Sequence, residues 1–203
     1  MKNVLFPKVL VVVLVLCCVN LSAFAQGDVF SKGDMIINAG VGLGTFINHD
    51  YKEYSGTVLN KHYKYSISVP PITGSFEYGI ADLFDGMGGI GIGGYLGYIL
   101  FKGSKIVEAG NINLSDKKFN LSDMIVGVRG LFHYQFIDNL DTYAGVMLGY
   151  DIVSFNEKGA SEGSKPCSAF FVGGRYYFTN NFGVFGELGY GISPLQVGLT
   201  YKF

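Results

Sequence analysis

The chain has 203 residues, with 30 glycines, 15% aromatic residues and only 15% charged residues. That length suits one domain, and the formal net charge of −1 gives no basic footprint for nucleic acid. Few charges beside so many Gly, Tyr and Phe depart from the composition of an ordinary water-soluble globule.

The first 25 residues read as a secretory signal peptide. Lys2 and Lys8 make a short basic start, Val9 to Val19 is an unbroken apolar run, and Ala23-Phe24-Ala25 is an A-x-A cleavage site. The expected domains are therefore 1–25, cleaved, and 26–203. A lipoprotein site at Cys17 or Cys18 lacks the small residues needed before it, since Val15 and Leu16 stand there. Cleavage removes two lysines and no acid, which takes the balance from −1 to −3. It leaves Cys167 as the only cysteine, so no intramolecular disulfide is expected. No later stretch reaches the 18 consecutive apolar residues of a spanning helix. If the mature chain enters a membrane, it must do so as a closed barrel.

Period-2 alternation then recurs along the chain. The first strand is Met35 to Ile47, apolar at odd positions with Asn38, Gly40, Gly42 and Gly44 between. The second carries Ile72, Phe76, Tyr78 and Ile80 against Thr73, Ser75, Glu77 and Gly79. The third carries Ile90, Ile92, Leu96, Tyr98 and Leu100 against Gly91, Gly93, Tyr95 and Gly97. In the fourth, Met124, Val126, Val128, Phe132, Tyr134 and Phe136 oppose Asp123, Gly127, Arg129, His133 and Gln135. The fifth sets Ala144, Val146, Leu148, Tyr150 and Ile152 against Tyr143, Gly145, Gly149 and Asp151. The sixth sets Phe170, Val172, Tyr176 and Phe178 against Gly173, Arg175 and Tyr177. The seventh sets Val184, Leu188, Tyr190 and Ile192 against Glu187, Gly189 and Gly191. The eighth is the terminal Leu195–Phe203 stretch, with its odd positions apolar or aromatic.

Short links are expected at Ala81–Met87, Ile137–Leu140 and Thr179–Phe182, with a brief one at Ser193-Pro194. Long loops are expected at Asn48–Lys64, Lys102–Asn120 and Ser154–Pro166. An even strand number puts both termini on the short-turn side. Tyr63, Tyr65, Ile67 and Val69 use the odd register and Ile72 onward the even one. Pro70-Pro71 sits at the switch, so a bulge or break is expected there. A hairpin unit recurs around Asp138-Asn139 and Asn180-Asn181, where Asn tolerates left-handed angles.

The apolar face carries no charged residue in any strand, which fits lipid outside rather than a soluble carrier's inward apolar face. The opposite face is read as glycine with a few polar groups, filling a narrow eight-stranded interior. Aromatics gather in two girdles: Tyr134, Phe136, Tyr176, Phe178, Tyr201 and Phe203 at one end, Tyr98, Tyr150 and Tyr190 at the other.

Inside, Glu77, Arg129, His133, Arg175 and Glu187 form the candidate luminal polar network. A loop centred on Asn181 predicts Arg175 opposite Glu187 as a cross-strand ion pair. These groups are read as a satisfied plug rather than a gate. His49, Asp50, Glu53 and His62 match no strong zinc spacing and are read as solvated loop residues. Gly86–Gly94 lacks the Gly-Lys-Ser/Thr ending of a phosphate loop. No cofactor, metal or catalytic residue is expected. A lipid-modifying enzyme would need Ser, His and acid at one membrane edge, and no serine stands beside His133 at its level. Lys102, Lys105, Lys117 and Lys118, in the second long loop, are either solvated surface or a contact to lipid A phosphates.

Taken together, the chain resembles the small eight-stranded bacterial outer-membrane β-barrels of the OmpA-like and OmpX-like kind. The resemblance covers Gly27 to Phe203. It rests on the signal peptide, Gly174-Arg175-Tyr176-Tyr177-Phe178, the Asn180-Asn181 turn, Glu187-Leu188-Gly189-Tyr190-Gly191 and the ending Tyr201-Lys202-Phe203. It implies an all-β, eight-stranded, antiparallel up-and-down transmembrane barrel in the outer membrane of a Gram-negative bacterium. It further implies insertion by the barrel-assembly machinery, with Tyr201 and Phe203 as the insertion signal. Lipid and lipopolysaccharide would surround a monomer. The peptidoglycan-binding domain of full OmpA-type proteins is not expected here, and with it no cell-wall tether. The expected role is structural or surface-interacting, in adhesion or envelope integrity through the long loops. Passage of a small solute or lipid is the alternative, and a lipid-modifying enzyme the less favoured third.

Overall fold

The computed structural model describes residues 29–45, 54–55, 59–109, 112–155 and 164–203. The expected signal peptide and loop residues His49, Asp50 and Glu53 lie outside them, as do the side chains of His62, Lys105, Lys117 and Lys118.

The strands are β1 (Met35–Leu43), β2 (Tyr54–Ser55), β3 (Leu59–Leu83), β4 (Gly88–Ala109), β5 (Ile112–Ile137), β6 (Leu140–Phe155), β7 (Lys165–Tyr177), β8 (Phe182–Tyr190) and β9 (Leu195–Lys202). Each pairs antiparallel with the next along the chain, except that β1 pairs with both β3 and β9. Eight strands thus close into an up-and-down barrel without a free edge along the wall, and β2 is a short addition on β3. Helical structure among the described residues is a single 3₁₀ turn at Phe84–Gly86.

All eight expected strands are present, and their alternation sets the wall. Ile72, Phe76, Ile92, Leu96, Val128, Leu148, Leu188 and Leu199 point away from the axis and are exposed. Glu77, Tyr95, Arg129, Tyr143, Phe185 and Thr200, at the intervening positions, are buried inside. Glycines there make space for side chains on adjacent strands. A Cβ at Gly145 would lie 2.4 Å from the Phe171 ring, and one at Gly91 2.3 Å from Glu77 Oε1.

Pro70-Pro71 does interrupt the wall. The β3–β4 ladder shifts register between Ile67 and Val69 and again between Val69 and Ile72, because proline has no N–H to give the ladder. Beyond this point β3 and β4 run on together to Leu59 and Ala109.

Several expectations are corrected. Lys102–Asn120 is not an open loop: β4 and β5 stay paired to Ala109↔Ile112. The overlooked cue is Gly110-Asn111, a two-residue hairpin signal between Ala109 and Ile112. The two Asn-bearing turns also differ in kind. Ile137 pairs with Leu140 across Asp138-Asn139, with Asn139 at φ 63°. Tyr177 pairs with Gly183 across a five-residue turn. There the Thr179 hydroxyl accepts from the Asn181 and Phe182 amides, and Phe182 O accepts from Phe178 N and Thr179 N. Ile192 does not face outward. Gly191 takes φ 140°, the chain folds over the rim, and Ile192 is buried in the barrel mouth.

Nor is the lumen mostly glycine. Ile99, Phe101, Leu121, Ile125, Leu131, Met147, Phe171 and Ile192 fill much of it as one apolar cluster with Tyr95 and Tyr143. Most of the cluster lies in the half of the barrel away from the short turns, where Asp123 and Asp151 are also buried, and Glu77, Arg129, His133, Arg175 and Glu187 lie nearer those turns.

Candidate functional site: a closed ring of charges in the lumen

Four strands place one ring of ionisable groups on the barrel axis. β3 supplies Glu77, β5 His133, β6 Asp141 and β7 Arg175, each at an inward-facing position and each at most 2% exposed. Arg175 Nη1 donates to Asp141 Oδ2 at 2.9 Å, and Nη2 donates to Glu77 Oε2. His133 Nδ1 hydrogen-bonds Asp141 Oδ1 at 2.8 Å. Its Nε2 lies 2.5 Å from Glu77 Oε1, a close charge contact without aligned hydrogen-bond geometry. Each carboxylate therefore touches both Arg175 and His133, and the four close into a circuit. A doubly protonated imidazole would make the ring neutral.

A second cluster sits one layer further in. Arg129 Nη2 donates to Glu187 Oε1 at 2.7 Å, and the Tyr143 hydroxyl donates to the same oxygen at 2.9 Å. The Arg129 guanidinium lies over the Phe171 ring at 3.9 Å and 5.7 Å from that of Tyr95. The Arg175 guanidinium lies 4.4 Å from the Tyr143 ring centroid, so Tyr143 joins the two clusters. Tyr95 OH donates to Gln196 Oε1 at 3.3 Å. Buried this deeply, such groups persist only as matched pairs. Arg129, Glu187, Tyr95, Gln196 and Ser193 border a small cavity with room for about one water molecule.

All five sequence-derived network residues are thus inside and buried, but their pairing differs from expectation. Arg175 does not pair with Glu187. The β7–β8 register sets Arg175 opposite Phe185 and Glu187 opposite Gly173, centring the turn on Asn180 instead of Asn181. That two-residue shift keeps both groups inward and sends each to a different partner. Asp141, the hinge of the ring, is absent from the expected network and lies just past the expected Ile137–Leu140 link, in β6. Its cue is parity: it stands two residues before Tyr143 on the same face of β6.

Glu77, His133 and Asp141 do converge, yet Arg175 supplies the cation between the carboxylates. Among the described residues no group of His, Cys, Asp and Glu is arranged to hold a metal. Cys167 is a free thiol. At the turn end, Tyr201 and Phe203 are exposed, with ring centroids 4.8 Å apart. The pairs Tyr134–Phe136 and Tyr176–Phe178 continue the same belt. No family model matches the chain, and no curated protein matches it.

Proposed function

We propose that this chain is an outer-membrane β-barrel with a filled lumen, whose role is structural or surface-interacting rather than transporting or catalytic. The carrying observation is the division between wall and axis. Outward wall positions such as Val128 (66% exposed), Leu148 (67%) and Leu188 (57%) are apolar, while every charge of the network faces the axis. Water-soluble monomers seldom expose a contiguous apolar patch above about 300–600 Å², and this one encircles the molecule. Aromatic belts at both ends suit two membrane–water interfaces. The eight or nine residues of β1, β8 and β9 match the about 9–11 that span a bilayer at a tilt.

A filled axis supports the structural role. Charged ring, stacked aromatics and apolar cluster occupy successive levels of the axis, and the cavity beside Arg129 and Glu187 has room for about one water, which supports a lumen that does not pass solutes. The β3–β4–β5 ladder supports surface interaction: these strands have 25, 22 and 26 residues, against 8 in β9. They rise well past the wall at the end away from the short turns.

Fractionation followed by conductance tests the reading. The expected protein partitions with outer membranes, resists extraction by mild detergent and migrates anomalously on gels until boiled. In planar bilayers it carries no steady current. A chain that stays monomeric and folded in water without detergent would make the barrel a soluble carrier. Steady unitary channels would remove the filled-lumen reading.

A further inference from the structure

The short-turn mouth of the barrel is closed by the chain itself. Ahead of β1, Val29 and Phe30 turn into the lumen and are only 6% and 3% exposed. The Phe30 ring stacks on His133 with centroids 3.7 Å apart and planes 11° from parallel. It thereby covers one face of the charged ring from the mouth side. The socket is cut for this segment. A Cβ at Gly89 would lie 2.8 Å from Phe30, and a Cβ at Gly79 only 2.2 Å from Ser31 O.

Few bonds hold the segment. Val29 N donates to Gln135 Oε1 at 3.2 Å, Lys202 Nζ donates to Val29 O at 3.3 Å, and Lys32 N donates to Asp82 Oδ1 at 2.5 Å. The reversal into β1 is a tight turn in which Ser31 N donates to Asp34 Oδ2 and Asp34 N to Ser31 O. Gly33 in that turn takes φ 94° with open space around it. Glycine is needed there for its backbone angle, not for room. The segment has no ladder of its own, while the wall behind it is continuously hydrogen-bonded. It can therefore come out without opening the wall, as weakly tied segments do.

We infer that Val29–Lys32 is a self-supplied strap. It seals the short-turn mouth by seating Phe30 on His133, and it opens independently of the barrel. The seal works alike whether lipid or water surrounds the wall.

Thiol accessibility tests this. In full-length protein with Cys17, Cys18 and Cys167 changed to Ser, Val29→Cys places a thiol of similar size on the buried side of the strap. Lys32→Cys places one at its exposed end. A water-soluble maleimide is expected to label position 29 slower than position 32 by about 100-fold or more. Adding Phe30→Ala, or separately Gly79→Val, should speed labelling at position 29 at least about tenfold, with the heat-resistant gel mobility of the closed barrel retained. Gly79→Val ejects the segment by collision with Ser31 and leaves Phe30 intact, so either variant suffices. Equal labelling at positions 29 and 32 in the unaltered strap would overturn the inference. So would labelling that accelerates only when the closed-barrel mobility is lost, or that neither variant changes.

Discussion

Toward the short turns the axis holds Glu77, His133, Asp141 and Arg175. Toward the far rim it holds Ile99, Phe101, Leu121, Ile125 and Met147, with Asp123 and Asp151 buried among them. Both regions exclude water, but by different physics. In the ring each group is satisfied only by particular atoms of its neighbours, so removing one strands the rest. In the apolar half any side chain of similar volume fills the same space. The near half should therefore be brittle and specific, and the far half tolerant.

The sharpest way to break that contrast is Arg175→Met. It leaves Glu77 and Asp141 facing each other and His133 alone, and is expected to cost about 3–5 kcal/mol. Urea titration read by the folded and unfolded gel bands measures it. A loss below about 1 kcal/mol would mean that water reaches the ring. Next comes Met147→Ala in the apolar half, expected to cost about 2–4 kcal/mol through the cavity it leaves. Its repacking partner Met147→Leu should cost less than about 1.5 kcal/mol. Should the two substitutions at 147 cost the same, the far half would not be volume-governed.

A coupling experiment separates the halves further. Arg175→Met and Glu77→Gln share a contact, so their effects should be non-additive by about 0.5–3 kcal/mol. Arg175→Met and Ile99→Val share none and should add within about 0.5 kcal/mol. The smallest expected effect is at the wall's turns. Asn139→Gly should be near neutral at φ 63°, whereas Asn139→Ala should cost about 1 kcal/mol. The same change at Asn181, which is not in the left-handed region, should show no such Gly–Ala difference.

The barrel was legible because one physical rule repeats eight times: alternate residues face opposite media. Pro70-Pro71 was legible for an equally local reason, the missing amide. The misreadings fall where local rules end. Ring partners depend on register, and a shift of two residues keeps every side chain on its expected face while changing whom it meets. Arg175 and Glu187 went astray in this way. Ile99, Ile125, Leu131 and Met147 are apolar at inward positions, so they did not fit a face read as glycine and polar groups. They signal a packed core only once the strand curvature brings them together. Val29-Phe30 carries no periodicity at all. Its place is set by the hollow beside Gly79 and Gly89, which come from β3 and β4.

The seam between β1 and β9 has one more consequence. Phe203 N donates to Met35 O at 2.9 Å, so the first and last strands finish side by side at one end of the cylinder. The β1–β9 seam is thus equivalent to any other strand junction at that end. A circular permutant that joins Phe203 to the Val29 segment through a short linker and starts instead at Asn139 should rebuild the same staves in the same order.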